Sequence, residues 1–264
     1  MSLLAVIQGI TEFLPISSSG HLAITSKLMG LNDNALLVAV ILHAGSLFSI
    51  IAVYYKEIMK LLTINKNMLP KLLVAIIPIG LVGVAFEMFH LSDMLFSNMF
   101  IVAAGLYATS FLLLFGMSTA NNNSTEFESI TYKNAVIIGL MQCIAILPGI
   151  SRSGTTISTA LKINIKREAA AAFSFMIALP VIAAACILKL SIYIYHLHKH
   201  QIPDNQTIAA SILFTGFIVS AITGFISLKF LIFTIKKGKL NAFAYYCITL
   251  GTLIIIWQIF LIKH

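Results

Sequence analysis

QGITEFLPISSSGH, residues 8–21, gathers an acid, an amide, three serines and an imidazole into fourteen positions near the start of an otherwise strongly hydrophobic chain. Displaced by 134 residues without a gap, it falls on QCIAILPGISRSGT, residues 142–155. Six positions coincide: Gln8/Gln142, Ile10/Ile144, Ile16/Ile150, Ser17/Ser151, Ser19/Ser153 and Gly20/Gly154. Matches at polar and glycine sites are not what chance apolar similarity produces, so the chain contains an internal repeat. Each copy sets a proline and a Ser/Gly-rich segment in the middle of a stretch of about 30 residues, which excludes one continuous spanning helix and predicts a helix, a break and a helix.

Three apolar runs follow each copy, at 36–55, 72–89 and 98–116, and again at 169–190, 208–228 and 241–262. Several reach the roughly 17–25 residues that a spanning helix needs. With 264 residues, 59% of them hydrophobic and 10% charged, and a mean hydropathy of +0.98, the composition is that of an integral membrane protein. The expected fold is all-α and polytopic. A single membrane domain of 264 residues holds two repeats, 1–116 and 134–264, joined by a connection at 117–133. Each repeat is a re-entrant broken hairpin plus three transmembrane helices. Met1-Ser2-Leu3-Leu4-Ala5 lacks the basic start of a cleaved signal peptide, so the N-terminal segment is read as mature structure.

Charge gives the orientation. Placing the connections 56–71, 117–133, 162–168 and 229–240 in the cytoplasm collects Lys56, Lys60, Lys66, Lys71, Lys133, Lys162, Lys166, Arg167, Lys229, Lys236, Lys237 and Lys239 there. These are twelve of the 17 Lys/Arg, whereas the opposite loops at 31–35, 90–97 and 191–207 hold only Lys199. That satisfies the positive-inside rule. The net charge of +8 is therefore topogenic and lipid-facing, and with no groove-reading motif beside it nucleic acid is excluded as a partner. Three spans are an odd number, so the first hairpin enters from outside and the second from the cytoplasm: the repeat is inverted. Such folds bring interrupted helices together near the bilayer midplane, and the two hairpin tips are expected to meet.

Ionisable groups inside hydrocarbon are costly, and each is a candidate for function. Glu12 and Arg152 are the charged residues well inside the two broken segments; His21 lies close to Glu12 in sequence and His43 lies in the next span. Gln8 and Glu12, four apart, share a helix face. After Pro15, the segment Ser17-Ser18-Ser19-Gly20 can open a second helix whose free amides attract an anion. PGISRSGTT (148–156) offers Gly149, Ser151, Ser153, Thr155 and Thr156 around Arg152, whose planar fork suits phosphate oxygens. An acid, an imidazole, hydroxyls, an arginine and a nest of amides form an inventory for phosphoryl transfer, with a carboxylate able to hold a divalent ion.

Blander roles compete with these. Small residues in a membrane hairpin also serve close packing. His43 could simply bond a carbonyl, Glu87 and His90 sit at a span end, and Asn121–Ser124 with Glu126 and Glu128 read as solvated loop. The histidines at 196, 198 and 200 fall in an outer loop around Lys199. Cys143, Cys186 and Cys247 are scattered without metal-ligand spacing and read as buried thiols.

With both polar segments in view, the chain resembles the undecaprenyl-diphosphate phosphatase family, the bacitracin-resistance type of integral membrane phosphatase. The family's E/Q-x-x-x-E stretch, running into Pro, Ser-Ser and Gly-His, matches Gln8, Glu12, Pro15, Ser17, Ser18, Gly20 and His21; its PGxSRSxxT matches Pro148, Gly149, Ser151, Arg152, Ser153 and Thr156. Similarity extends through LHAG (42–45) and FSFMIALP (173–180). The chain carries Gln8 where many relatives have Glu, so the role of base or anionic metal ligand falls to Glu12. The resemblance implies hydrolysis of undecaprenyl diphosphate to undecaprenyl phosphate and inorganic phosphate at the outer face of the bacterial cytoplasmic membrane. That reaction recycles the carrier for peptidoglycan and cell-wall synthesis and underlies resistance to bacitracin. It also implies a divalent cation, Mg2+ or Ca2+, held by Glu12, and leaves open the oligomeric state, a homodimer included.

On that basis Glu12, Ser18, His21 and Arg152 are the expected catalytic residues, with Gln8, Ser17, Gly149, Ser151, Arg152, Ser153 and Thr156 around the phosphate. Arg152 and the nest amides would bind the terminal phosphate, Ser18 would attack, Glu12 would act as base or metal ligand, and His21 would transfer a proton. Attack by His21 itself or by water stays open, as does lipid translocation beside hydrolysis. A flippase or secondary transporter is the reading that inverted repeats alone would favour.

Overall fold

A computed structural model of the chain describes residues 1–29, 35–89, 91–117, 125–198 and 209–262. Among them the structure is helical throughout, apart from short connections and one isolated bridge between Thr125 and Ile165. The first repeat comprises α1 (Ser2–Phe13), α2 (Ser18–Met29), α3 (Ala35–Val53), α4 (Tyr55–Thr63), α5 (Leu69–Met88), α6 (Leu91–Ser97) and α7 (Met99–Met117). The second comprises α8 (Tyr132–Gln142), a 3-10 turn (Cys143–Ile146), α9 (Arg152–Lys162), α10 (Arg167–His198), α11 (Ala210–Lys236) and α12 (Asn241–Ile262). Asn121–Ser124, His90, Lys199 and His200 lie outside the described residues.

Both predicted hairpins are present, broken where Pro15 and Pro148 fall: α1 gives way to α2, and α8 with its 3-10 turn to α9. Helices long and apolar enough to cross a membrane occupy Lys66–Met88, Met99–Gly116, Arg167–Tyr195, Ala210–Lys236 and Asn241–Phe260. α3 supplies the sixth span only together with α4, to which it is bent by 71°. The expected connection at 56–71 is therefore largely helical. The reason lies in YKEIMKLLT, where Lys56, Glu57 and Lys60 alternate with Ile58, Leu61 and Leu62, so the chain turns from the span into an amphipathic helix suited to an interface. α11 likewise runs on to Lys236 instead of ending at 228, placing Lys229 on the helix and not in a loop. Large apolar side chains such as Leu81 and Phe214, 70% and 67% exposed, cover the outside as a lipid-facing surface requires.

Part of the helix packing follows the repeat. Exchanging α1, α2, α3, α5 and α7 with α8, α9, α10, α11 and α12 turns the α1/α11 contact into α8/α5 and α1/α2 into α8/α9, while α3/α10 and α7/α12 map onto themselves. Cation–π contacts also join the corresponding helix pairs: Lys27 at the end of α2 lies over Trp257 of α12, and Lys162 at the end of α9 lies over Phe115 of α7. Three spans separate the hairpins, so one that enters from one side is followed by one from the other.

Small residues set how close these helices come. A Cβ on Gly139 of α8 would stand 2.6 Å from the Ala75 carbonyl oxygen of α5, and one on Gly9 of α1 would stand 2.7 Å from the Ser220 oxygen of α11. Both are below any real contact, and neither obstacle is a flexible tip. Gly139→Leu is expected to push α8 from α5 and destabilise the fold by about 1–3 kcal/mol or more, read as a lowered melting temperature in detergent; an unchanged Tm would mean this crossing is not tight.

Candidate active site

Each hairpin's second helix begins inside the protein, so its first amides need partners. Ser151 caps α9, its Oγ accepting from the Gly154 N–H at 3.1 Å. Ser17 does the same for α2, accepting from the Gly20 N–H at 3.2 Å. The Oγ atoms of Ser17 and Ser19 are 3.1 Å apart, those of Ser151 and Ser153 3.2 Å. The repeated Ser-x-Ser-Gly is therefore a pair of N-caps. Ser17 takes the left-handed conformation at φ 69, and Gly149 the same region at φ 87, where glycine's lack of a Cβ removes the strain.

The tips meet. A Cβ on Gly20 would lie 3.3 Å from the Gly149 Cα, and one on Gly154 would lie 3.3 Å from the Pro15 Cβ. Positions 15/149 and 20/154 are repeat equivalents, so both contacts follow one local two-fold relation. α7 reinforces the second tip: the Thr109 hydroxyl donates to the Gly149 carbonyl and receives the Ser151 N–H, both at 2.9 Å.

One ion pair crosses between the hairpins. Arg152 donates through Nη2 to Glu12 Oε1 at 2.9 Å, with side chains 15% and 7% exposed. The other carboxylate oxygen, Oε2, accepts from Ser18 Oγ at 2.8 Å and from Gln8 Nε2 at 3.0 Å. The shared helix face of Gln8 and Glu12 thus delivers both to one place, and α2 brings Ser18 to the carboxylate that can take its proton. Among the described residues no further acceptor is recorded for the Arg152 guanidinium, which leaves most of its fork for an anion.

The remaining expected site residues divide. Ser17, Ser151 and Ser153 shape the helix starts, Gly149 makes the turn beneath α7, and the Thr156 hydroxyl donates to the Arg152 carbonyl at 2.9 Å and shares a 2.6 Å bond with Ser174. His21 is not against Ser18 or Glu12: its Nδ1 is 2.8 Å from the Ser17 carbonyl and its Nε2 2.7 Å from the Tyr246 hydroxyl. His43 approaches instead, with Nδ1 2.8 Å from the Ala39 carbonyl and Nε2 3.9 Å from Glu12 Oε2. A carbonyl only accepts, so Nδ1 carries the proton in each ring and Nε2 is the basic nitrogen.

Sequence reasoning missed Thr109, Ser174 and Tyr246. Ser174 sits in FSFMIALP, a segment of family similarity; Thr109 and Tyr246 lie in ordinary apolar spans and give no local signal.

A divalent ion is compatible with the donors here. Gln8 Oε1 is buried without a hydrogen-bond partner, and it stands beside a carboxylate. Among the described residues no group of three or more His, Cys, Asp or Glu could hold a metal by themselves. That combination suits a hard cation bound through one carboxylate, an amide oxygen and the oxygens of a phosphate.

The family model described as bacitracin resistance protein BacA matches residues 1–253. The chain belongs to the bacitracin resistance protein family. Within it, curated relatives called undecaprenyl-diphosphatase include that of Halothermothrix orenii, 38% identical over 256 residues with 96% of this chain and 95% of the relative covered. Those of Carboxydothermus hydrogenoformans, 34% identical with 97% and 95% covered, and Bacteroides fragilis, 35% identical with 96% of each covered, are similar. The relatives of this membrane family are phosphatases by name, and the transporter reading finds no support among them.

Breaking the Glu12–Arg152 pair leaves an uncompensated charge in a largely buried site, at about 3–5 kcal/mol. Glu12→Ala and Arg152→Ala should each lower stability in detergent, and the double variant should lose less than the sum of the two. Additive losses would mean that the two charges act independently.

Proposed function

We propose that the chain hydrolyses undecaprenyl diphosphate to undecaprenyl phosphate and inorganic phosphate. The site faces the outer side of the bacterial cytoplasmic membrane, where the reaction returns the lipid carrier to peptidoglycan synthesis and opposes bacitracin. The observation that carries the reading is the contact of Ser18 Oγ and Arg152 with the two oxygens of one carboxylate, Glu12. A nucleophile, its base and an anion clamp thereby share one point between the hairpins. The outward orientation is supported by the basic residues at the opposite connections.

The terminal phosphate docks on the free donors of Arg152 and on the first amides of α9. Ser18 Oγ, losing its proton to Glu12 Oε2, attacks that phosphorus; the bond to the bridging oxygen breaks and undecaprenyl phosphate leaves with the electron pair. Water then cleaves the phosphoserine, and Glu12 returns the proton. Glu12 and the Gln8 amide oxygen would hold a divalent cation, Mg2+ or Ca2+, which would supply charge neutralisation for the diphosphate. His21, its ring held by the Ser17 carbonyl at Nδ1 and Tyr246 Oη at Nε2, serves as the proton-transferring partner.

Purified protein in detergent should release inorganic phosphate from a prenyl diphosphate, with kcat/KM reduced at least about 100-fold in Glu12→Ala, Ser18→Ala and Arg152→Ala. Chelation with EDTA should stop turnover, and added Mg2+ or Ca2+ should restore it. Mass spectrometry of quenched enzyme should find phosphate on Ser18; finding it on His21, or on no residue, would replace Ser18 as nucleophile.

A further inference from the structure

The internal repeat provides a control for what the hairpin architecture alone requires. In the second copy, the carbonyl of the N-cap Ser151 accepts from the Thr155 hydroxyl at 2.8 Å. In the first, the carbonyl of Ser17 accepts at the same 2.8 Å from His21 Nδ1. Residues 21 and 155 are repeat equivalents, so a threonine suffices for the structural task. What the imidazole adds is Nε2, which faces away from the cap.

The spans that support the two tips show the same difference. On the second tip α7 donates the Thr109 hydroxyl to the Gly149 carbonyl at 2.9 Å. On the first, α12 donates Cys247 Sγ to the carbonyl of Pro15, the equivalent of Gly149, at 3.8 Å. One residue earlier on α12, Tyr246 reaches His21: its hydroxyl is 2.7 Å from Nε2, and the two rings are parallel to within 6° with centroids 5.7 Å apart. Among the described residues no such contact joins α7 to Thr155.

With Nδ1–H committed to Ser17, a neutral His21 can only accept at Nε2, so the Tyr246 O–H donates to it. When Nε2 takes up a proton the same hydroxyl turns and accepts from it, so the contact survives both charge states. The Ser17 carbonyl at Nδ1 and the Tyr246 hydroxyl at Nε2 hold the ring from both sides, and the second bond fixes the direction of the one basic nitrogen.

We infer that Tyr246 is a positioning residue for this reaction: it holds the basic Nε2 of His21 in one orientation, from the opposite repeat, and acts on turnover through His21 alone. The inference rests on the phosphatase reading for its effect on rate, and on the geometry alone for the hydrogen bond.

The test is a double-mutant cycle with Tyr246→Phe and His21→Gln in detergent-solubilised full chain, measuring phosphate release from a prenyl diphosphate. Tyr246→Phe, which keeps the ring and removes only the hydroxyl, should lower kcat about tenfold with KM within a factor of two, as expected for an effect of about 1.4 kcal/mol on the barrier. In the His21→Gln background the same substitution should change kcat by less than twofold. A wild-type kcat in Tyr246→Phe, or an equal tenfold loss in both backgrounds, would overturn the inference. A readout free of substrate separates its failure from that of the phosphatase reading. In 15N-histidine spectra the His21 Nε2 resonance, assigned by its loss in His21→Gln, should shift in Tyr246→Phe while that of Nδ1 stays. No shift at Nε2 would overturn the hydrogen bond; a shift in a protein that releases no phosphate would overturn the phosphatase reading instead.

Discussion

A helix that starts inside a membrane protein exposes amides that lipid cannot satisfy, and here two such starts are placed against each other. Ser17 and Ser151 cap them with the same bond to Gly20 and Gly154. Once capped, the two positive helix ends converge where the tips touch, and that makes the centre of the protein hospitable to anions. A buried carboxylate and arginine are then tolerable because they lie at this centre and neutralise each other. The spans around them are arranged to let the tips meet: small residues on α1, α7 and α8 permit backbone contact that a larger side chain would prevent.

Duplication supplied the scaffold, and divergence made it a site. Position 12 kept an acid whose equivalent is Ile146; position 152 kept an arginine whose equivalent is Ser18. Because the equivalent of each charged partner is uncharged, a two-fold framework yields a single, polarised site. Ser18 and Arg152 occupy corresponding places at the first turn of their helices, so both face Glu12, one as hydroxyl donor and one as cation. Gln8 and Gln142 tell the same story. Gln8 leans on Glu12, whereas Gln142, lacking a carboxylate one turn later, is buried with neither amide atom paired.

Much of this was legible from the chain because it is written in local chemistry. Prolines that break helices, serines that cap them and a carboxylate in an apolar run each leave a mark, and a second copy 134 residues later reads as the same mark. Less legible was the division of labour among the serines. Ser17 and Ser151 look like phosphate ligands in a list of residue types, and the fold shows that their hydroxyls also cap helices. The partner of His21 had no signal at all, since Tyr246 is one aromatic among many in α12 and becomes meaningful only when the fold closes a gap of 225 residues. α4 was hidden for another reason: its charges mark a connection, and only their spacing with Ile58 and Leu61 shows that the connection is helical.

Everything depends on the two hairpin tips standing in contact at one centre, and a cross-link tests that contact directly. In a chain freed of Cys143, Cys186 and Cys247, cysteines at Pro15→Cys and Gly154→Cys would place their Cβ atoms about as close as the 3.3 Å that separates the Pro15 Cβ from a Cβ built at 154, close to disulfide range. Mild oxidation in the membrane should close an intrachain disulfide, seen as loss of two free thiols within one monomer. Two thiols that stay free and reactive under the same oxidant would mean that the tips do not meet, and that Glu12 and Arg152 do not share a site.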